Sequence, residues 1–498
     1  MKYSCTPLAA ALTVLLGGCM VGPDYQRPQV AVPATYTELP GWTQAEPAAE
    51  APKGTWWTGF HDPLLDELEP QVSVSNQTVR QDYANYQQAL AEVKVARSGL
   101  FPTVGVTGTG TRQRSSGSSI TSSSTGIGVS RGATIDNSGS LEGSLSWDLD
   151  VWGQVRRTIE ENSATAQASE ATLANATLSE QITLATTVIQ LRATDADIDL
   201  LQQTVAAYQH ALDVVTDQDR AGTVAPSNLI SARTQLESAQ SSLIALGVSR
   251  AQFAHAIAVL VGKNPEALDI PHSTAMPVLP SIPVGVPSTL LERRPDIATA
   301  ERQMAAQNAA VGVEVSAYYP TISLSGAAGF TQSPLSGLLN VTNYIWSLGG
   351  SASETLFDGG QRSGNVAAAK AAYDAAVANY RGTVLTAFEN VENDLAGLRI
   401  LAQQADVLAA AVTDATRGAQ ITLDEYQAGT VDYTTVATAQ ATQLTNQQTA
   451  LNVQEQRLID AATLIGDLGG GWSTADLHDA RDPSKAAAGP IAKTTAAQ

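Results

Sequence analysis

The chain is written twice, and that repetition limits its fold more than any other feature. Phe101-Pro102 returns as Tyr319-Pro320, a shift of 218 residues (319 against 101). Ahead of each pair the same register holds: Val79, Tyr86, Val93 and Leu100 recur every seven residues, and Ile297, Met304, Val311 and Tyr318 each lie 218 further on. Beyond the pairs the shift changes. Ala221-Gly222-Thr223-Val224 comes back as Ala428-Gly429-Thr430-Val431, and Gly153-Gln154 as Gly360-Gln361, both at 207. The difference between 218 and 207 makes the first half 11 residues longer, and the Ser/Gly-rich run from Arg114 to Ser130 is the expected site of an elongated loop.

Each half reads as a helix, two strands, then a long helix and its return partner. After Pro320, the apolar or small residues Ile322, Leu324, Gly326, Ala328 and Phe330 alternate with Thr321, Ser323, Ser325 and Thr331. From Leu141, the residues Leu145, Trp147, Leu149 and Val151 alternate with Glu142, Ser144, Ser146, Asp148 and Asp150. Strands are expected over about 102–113, 140–151, 320–332 and 344–358, with Glu354 breaking the apolar face of the last. One apolar and one polar face over about ten residues is the pattern of a transmembrane β-strand. A strand half buried on a soluble core alternates in the same way. Aromatics tilt the balance towards a membrane. Phe101, Trp147, Trp152, Tyr318, Tyr319, Phe330, Tyr344, Trp346 and Phe357 all fall in or beside these strands, as interfacial girdles require.

From Gln154 to about Asp217 there is neither Pro nor Gly, and apolar residues keep helical spacing through Val188, Leu191, Leu201, Val205, Tyr208 and Leu212. The counterpart, about 362–426, runs through Tyr373, Val377, Tyr380, Val384, Phe388, Val391, Leu395 and Leu398. Some 64 residues at 1.5 Å each make roughly 96 Å of helix, against about 12 residues for an ordinary globular one. Gly222 and Gly429 stop these helices, and residues 227–262 and 434–468 return antiparallel.

Four strands cannot close a barrel, and an open strand edge is not tolerated in lipid. Oligomerisation follows from that count. After residue 18 no apolar stretch approaches the roughly 20 residues of a spanning helix. With 28 Lys+Arg against 48 Asp+Glu the net charge is −20, and phosphate binding needs the reverse, so nucleic acid is not an expected partner.

Lys2, the apolar Leu8 to Leu16 and the small Gly17-Gly18 make residues 1–18 a secretory signal. Its end, Leu16-Gly17-Gly18-Cys19, resembles a bacterial lipobox, in which the cysteine becomes the acylated first residue; the alternative is an ordinary signal with an incidental cysteine. Both cysteines, Cys5 and Cys19, lie in this stretch, so none remains for a disulfide or a cysteine metal site in the body.

Lipobox, repeat, element order and Tyr426-x-x-Gly429-Thr430 together resemble the TolC-type outer-membrane efflux family. Its NodT-like lipoprotein branch fits best, through Val21-Gly22-Pro23-Asp24-Tyr25 after Cys19-Met20. The resemblance covers Cys19 to about Leu468 and implies an α+β membrane protein. Three copies of four strands would form a twelve-stranded β-barrel, continued by a long periplasmic α-helical barrel. It divides the chain into a signal (1–18), an acylated segment (19–62), a first repeat (63–286, ending in a Pro-rich equatorial girdle from 263), a second repeat (287–468) and a flexible tail (469–498). It places the protein in the outer membrane of a Gram-negative bacterium, anchored through Cys19 with its helical part in the periplasm. Its implied partners are a periplasmic adaptor (membrane fusion) protein and an inner-membrane pump, commonly of the resistance–nodulation–division type. The implied function is passive conduction from pump and adaptor to the outside.

In this family the hairpin turns, here at Gly222 and Gly429, meet at the closed end of the tunnel, where an adaptor docks. A Tyr hydrogen-bonds a carboxylate on the first hairpin, and Asp rings narrow the bore. Tyr426 matches the Tyr, but the carboxylate position carries Asn228, the Asp positions carry Thr435 and Thr438, and the usual Arg is Val431. The charged latch is therefore missing, and a gate held by packing and neutral hydrogen bonds is expected. Asp432 offers either a pore carboxylate or a solvated turn residue.

No enzyme or cofactor is expected. His61, His210, His255, His272 and His478 are scattered without metal-ligand spacing, and there is no Gly-x-Ser-x-Gly elbow or phosphate-cradling Gly-x-x-x-x-Gly-Lys loop. Glu142, Asp148 and Asp150 read as lumen-facing polar residues or as a carboxylate cluster. Three other readings stay open at this level: a secretion duct for polypeptides, a self-sufficient diffusion porin, and a structural lipoprotein with coiled-coil rods.

Overall fold

A computed structural model describes residues 20–33, 35–38, 55–123, 126–282 and 290–480. The chain divides into two compact units. One contains Met1–Gln26, Ala89–Thr165 and Gln303–Ala376; the other contains Arg27–Gln88, Ala166–Arg302 and Val377–Gln498. Cys19 and the signal segment lie outside the described residues.

Helices α1 (Pro63–Ser75) and α2 (Gln77–Ser98) come first, then strands β1 (Thr103–Ser123) and β2 (Gly126–Leu149), then helices α3 (Gln154–Arg220) and α4 (Pro226–Leu260). The order repeats with α5 (Pro295–Ser316), β3 (Thr321–Gln332), β4 (Tyr344–Ser353), α6 (Gln361–Gln427) and α7 (Tyr433–Asp467). Helices α3 and α6 each have 67 residues and α4 and α7 each have 35. Three pairs of glycines with φ between +71° and +97° sit 207 residues apart: Gly153 and Gly360, Gly222 and Gly429, Gly262 and Gly469.

The strands form one antiparallel sheet in the order β1-β2-β3-β4. Two strand expectations need correction. Residues 114–123 and 126–130, expected as a loop, continue the β1–β2 ladder, which pairs Thr103 with Ser146 and runs out to Ser123 with Gly126. Antiparallel pairing satisfies the backbone groups that face the partner strand and leaves the others to the ribbon's outer edges, so Ser and Gly need no core to adopt it. β2 pairs with β3 only over Gly139–Leu149, so the extra length is a two-stranded ribbon. β4 ends at Ser353, not at 358, because Glu354 and Asp358 turn to Arg362 with ion pairs of 2.9 and 2.6 Å.

The two strand-to-helix elbows are built alike. Asp150 accepts from the Val155 and Arg156 amides and holds the Arg156 guanidinium at 2.9 Å. Asp358 accepts from the Gly360 and Arg362 amides and holds Arg362. Each carboxylate satisfies amides that the first helical turn would leave open. Arg362 also lies over the Tyr318 ring, 5.3 Å from its centroid.

In the second unit one apolar core joins α1 (Leu65, Leu68, Val72), α3 (Leu184, Val188, Leu191), α4 (Ile257), α6 (Val391, Leu395) and α7 (Leu458, Ala461, Leu464) with Phe60 and Ile270. Glu69 on α1 is fully buried, and neither carboxylate oxygen has a hydrogen-bond partner. Burial alone pushes its pKa up to about 9. Residues 263–282 of the expected girdle are pinned through the fully buried Asp195, which accepts from Arg250 at 2.6 Å and from the Ser273 amide at 3.0 Å. Residues 283–286 lie outside the described part.

The expected flexible tail also needs correction over 469–480. Gly469 lies against the Arg293 carbonyl, leaving no room for a Cβ, and Gly470 lies against the Leu178 side chain. Ser473 and Asp476 close a capping box, His478 pairs with Glu170 at 2.5 Å, and Ala480 is buried. Residues 481–498 lie outside the described part.

Candidate functional site

Two surfaces of the described residues bear on function, one in each unit. The first is the sheet. Its register aligns the alternation of all four strands: Val104, Leu145, Gly326 and Leu348 form one row, and Val106, Gly143, Ala328 and Trp346 the next. The opposite face carries rows such as Ser144, Ala327 and Ser347, then Asp148, Ser323 and Ser351. Val104, Val106, Trp346 and Leu348 are 72–80% exposed. Water does not favour such residues exposed along both edge strands of one face, whereas hydrocarbon accepts them without cost. At the foot of the sheet Trp152 stacks on Tyr319 with centroids 4.8 Å apart. Glu142 and Asp148 lie on the polar face, but Asp150 does not join them: it lies past the end of β2, in the elbow.

The second surface is the pair of helix ends at Gly222 and Gly429. Both glycines take a left-handed conformation, φ +72° and +76°, and a Cβ on either would meet nothing within 4 Å. Beneath these turns Val215, Ala232, Tyr426, Tyr433 and Val436 form a small core, with Val224 and Val431 packed on it. The Tyr426 and Tyr433 rings meet edge to face, centroids 5.6 Å apart. The Tyr426 hydroxyl donates to the Gln218 side-chain carbonyl on the first hairpin, so its partner is Gln218, four residues before the glycine, and not Asn228. The Tyr433 hydroxyl donates to Gln235 at 3.3 Å, and Gln235 donates to the Ala437 carbonyl at 3.4 Å. Asn228 is buried in the first turn of α4, its amide bonded to the Ala225 carbonyl.

Burial raises both phenol pKa values, that of Tyr433 to about 12, so both remain neutral at any physiological pH. An exposed ion pair, Arg220 to Asp217, lies on the same hairpin and contributes little through solvent. Asp432, Thr435 and Thr438 are all exposed, at three-residue spacing along one helix face. Asp432 precedes α7 without capping it by its side chain. Gln218, Tyr433 and Gln235 were not singled out from sequence. Tyr433 carried a signal, since it stands seven residues after Tyr426 across the turn, whereas the two Gln carried none.

Much of the Thr content of the helices serves the helices themselves. Thr158, Thr165, Thr172, Thr183 and Thr204 each bond the carbonyl four residues back, which leaves these hydroxyls already engaged. Among the described residues no cluster of three or more His, Cys, Asp or Glu is arranged to hold a metal.

The chain matches the outer membrane efflux protein family over residues 70–263 and 286–470. It is 31% identical over 484 residues to the solvent efflux pump outer membrane protein SrpC of Pseudomonas putida, covering 95% of this chain and 99% of that one. The solved outer-membrane channel OprN has 28% identity and a TM-score of 0.83, over 91% of this chain and all of its own. The CmeC outer membrane channel of Campylobacter jejuni, at 22% identity and a TM-score of 0.84 over 94% of this chain and 97% of its own, shares the fold. The apolar sheet face, the paired long helices and these likenesses agree: this chain belongs to the outer membrane efflux protein family, as an outer-membrane channel of the TolC type with its helical part in the periplasm.

Proposed function

We propose that the protein is the exit duct of a tripartite efflux system, working as a homotrimer anchored by an acylated Cys19 and fed by a resistance–nodulation–division pump through a periplasmic adaptor. The observation that carries this reading is the register of the sheet, with one apolar face across four strands and, among the described residues, no strand paired to the outer edges of β1 and β4. A sheet with open edges in lipid leaves backbone groups unsatisfied, and three copies joined β4 to β1 close twelve strands. Equal helix lengths and the glycine pairs at a spacing of 207 support an internal duplication. With two long helices and their return helices per copy, the same threefold arrangement continues the barrel into the periplasm as a tunnel.

The duct supplies no energy. Its gate is the ring of hairpin ends, held by the Tyr426–Gln218 bond, the Tyr426–Tyr433 contact and apolar packing at Val431. Asp432, Thr435 and Thr438 face the bore from the exposed side, so Asp432 sets three carboxylates around the axis and favours cations. The turns at Gly222 and Gly429 are the adaptor's docking ends. Neutral hydrogen bonds contribute about 0.5–1.5 kcal/mol each, less than charge-assisted ones, so this gate opens more readily than a charged latch.

Single-channel recording of the purified protein in planar bilayers tests the reading. Small flickering currents that grow when the cognate adaptor is added support a gated duct. A large steady conductance indifferent to the adaptor makes the protein a diffusion porin and overturns it.

A further inference from the structure

Arg157, in the first turn of α3, is among the most deeply buried large side chains of the protein, 1% exposed. An isolated guanidinium is not buried without compensation. Its partners are the finding. Nε donates to the Val21 carbonyl at 3.1 Å and Nη2 to the Gly22 carbonyl at 3.2 Å, while Glu160 takes Nη1 at 2.8 Å. Asp24 accepts from Nη2 at 3.0 Å but is 86% exposed, so it is the weakest of the four. The Arg157 cation thus grips the backbone of the peptide that follows Cys19.

The peptide is shaped for that grip. Gly22 has φ +94°, and a Cβ there would lie 2.5 Å from the Gly312 Cα. A Cβ on Gly312 would in turn lie 2.8 Å from the Arg157 side chain. The Val21 amide donates to the Trp152 carbonyl at 3.1 Å, and Asn308 donates to the Pro23 carbonyl at 3.0 Å. Met20 packs on Gly153, the first residue beyond Trp152.

We infer that Arg157 is a positioning residue that moors residues 20–24, so that the chain leaves the protein for Cys19 at the foot of β2, beside the Trp152–Tyr319 pair, whether or not acyl chains are attached. The place where lipid joins the protein is then set by this clamp. Only the last clause rests on the reading of Cys19 as the acylated residue.

The test is hydrogen–deuterium exchange of the peptide covering residues 20–25 in the full-length protein, read beside heat-resistant migration on gels. The wild type is compared with Arg157→Gln, Gly22→Ala and an unacylated form, in which residues 1–18 are replaced by an ordinary cleavable signal and Cys19 by Ser. The clamp predicts slow exchange in the wild type and the unacylated form. It predicts exchange about tenfold faster in Gly22→Ala and Arg157→Gln, with heat-resistant migration retained. If Arg157→Gln does not fold, Gly22→Ala, which keeps the cation, decides the matter. Unchanged exchange in the variants, or lost protection in the unacylated form, overturns the proposal. Absence of palmitate label on the wild type refutes the acylated cysteine and leaves the clamp standing.

Discussion

The hydroxyl of Tyr426, three residues before one hairpin glycine, donates to the side chain of Gln218, four residues before the other. That bond joins the two helical hairpins of one chain through neutral groups alone. Tyr426→Phe keeps the edge-to-face contact with Tyr433 and deletes only the hydrogen bond. The expected loss is about 0.5–1.5 kcal/mol, which shortens closed dwell times in bilayer recordings about two- to tenfold. Gln218→Ala should match it, and the double variant should add little. Dwell times equal to wild type in both single variants would remove the bond from the gate.

Glu69 makes stability depend on pH with a definite sign. Its pKa is raised by burial from 4.5 to about 9 in the folded protein. Between those values the unfolded chain has released a proton that the folded protein still holds, so stability falls as pH rises, on the order of 1 kcal/mol per unit at most. Below about 4.5 the effect is absent. Glu69→Gln, which mimics the protonated acid, should flatten the melting temperature measured across this window and raise it at the alkaline end. Parallel melting curves for variant and wild type would show that the carboxyl finds a partner.

The positive-φ glycines separate into two kinds. At Gly222 and Gly429 a methyl group meets open space, so replacement by Ala costs only the backbone preference, about 1–2 kcal/mol. At Gly262 and Gly469 a Cβ would overlap the carbonyl oxygens of Ser75 and Arg293. Melting of the four single Ala variants should therefore fall into a mild pair and a severe pair. Four equal losses would mean that another copy of the chain fills the space beside the hairpin turns.

Asp150 and Asp358 should be interchangeable in role. Asp358→Asn removes the ion pair to Arg362 and weakens the acceptance from two amides at the start of α6. Exchange at Gly360 and Arg362 should speed up while exchange at Val155 and Arg156 stays slow, and Asp150→Asn should give the mirror result. A variant that loosens both elbows at once would show that they are not independent.

Much of the architecture was legible because its signals are periodic. The unbroken run after Gln154 and the glycines at 222 and 429 placed the ends of the long helices and their return partners within about three residues. The ribbon over residues 114–123 and 126–130 was missed because Ser and Gly read as loop, while ladder pairing between backbones does not depend on which side chains they carry. The ordered stretch 469–480 was missed for a related reason. A run of three glycines suggests freedom, but a Cβ at Gly469 would overlap the Arg293 carbonyl oxygen, and Gly470 takes a positive φ against the Leu178 side chain.

The latch divides in the same way. Tyr426 and the loss of the charged residues at Asn228, Thr435, Thr438 and Val431 were readable from motif positions, and with them the expectation of a neutral gate. Its partner was not. Gln218 and Asn228 both lie near the first hairpin turn in sequence, and it is Gln218 that the packed hairpins bring to the hydroxyl. Likewise Arg157 looks like any first-turn arginine until the fold lays Val21 and Gly22 across its guanidinium. Local periodicity and turn chemistry are carried by neighbours along the chain, so the sequence alone determined the elements and their order. Which side chains meet across 208 or 136 residues is set by how those elements pack, and that only the tertiary structure decided.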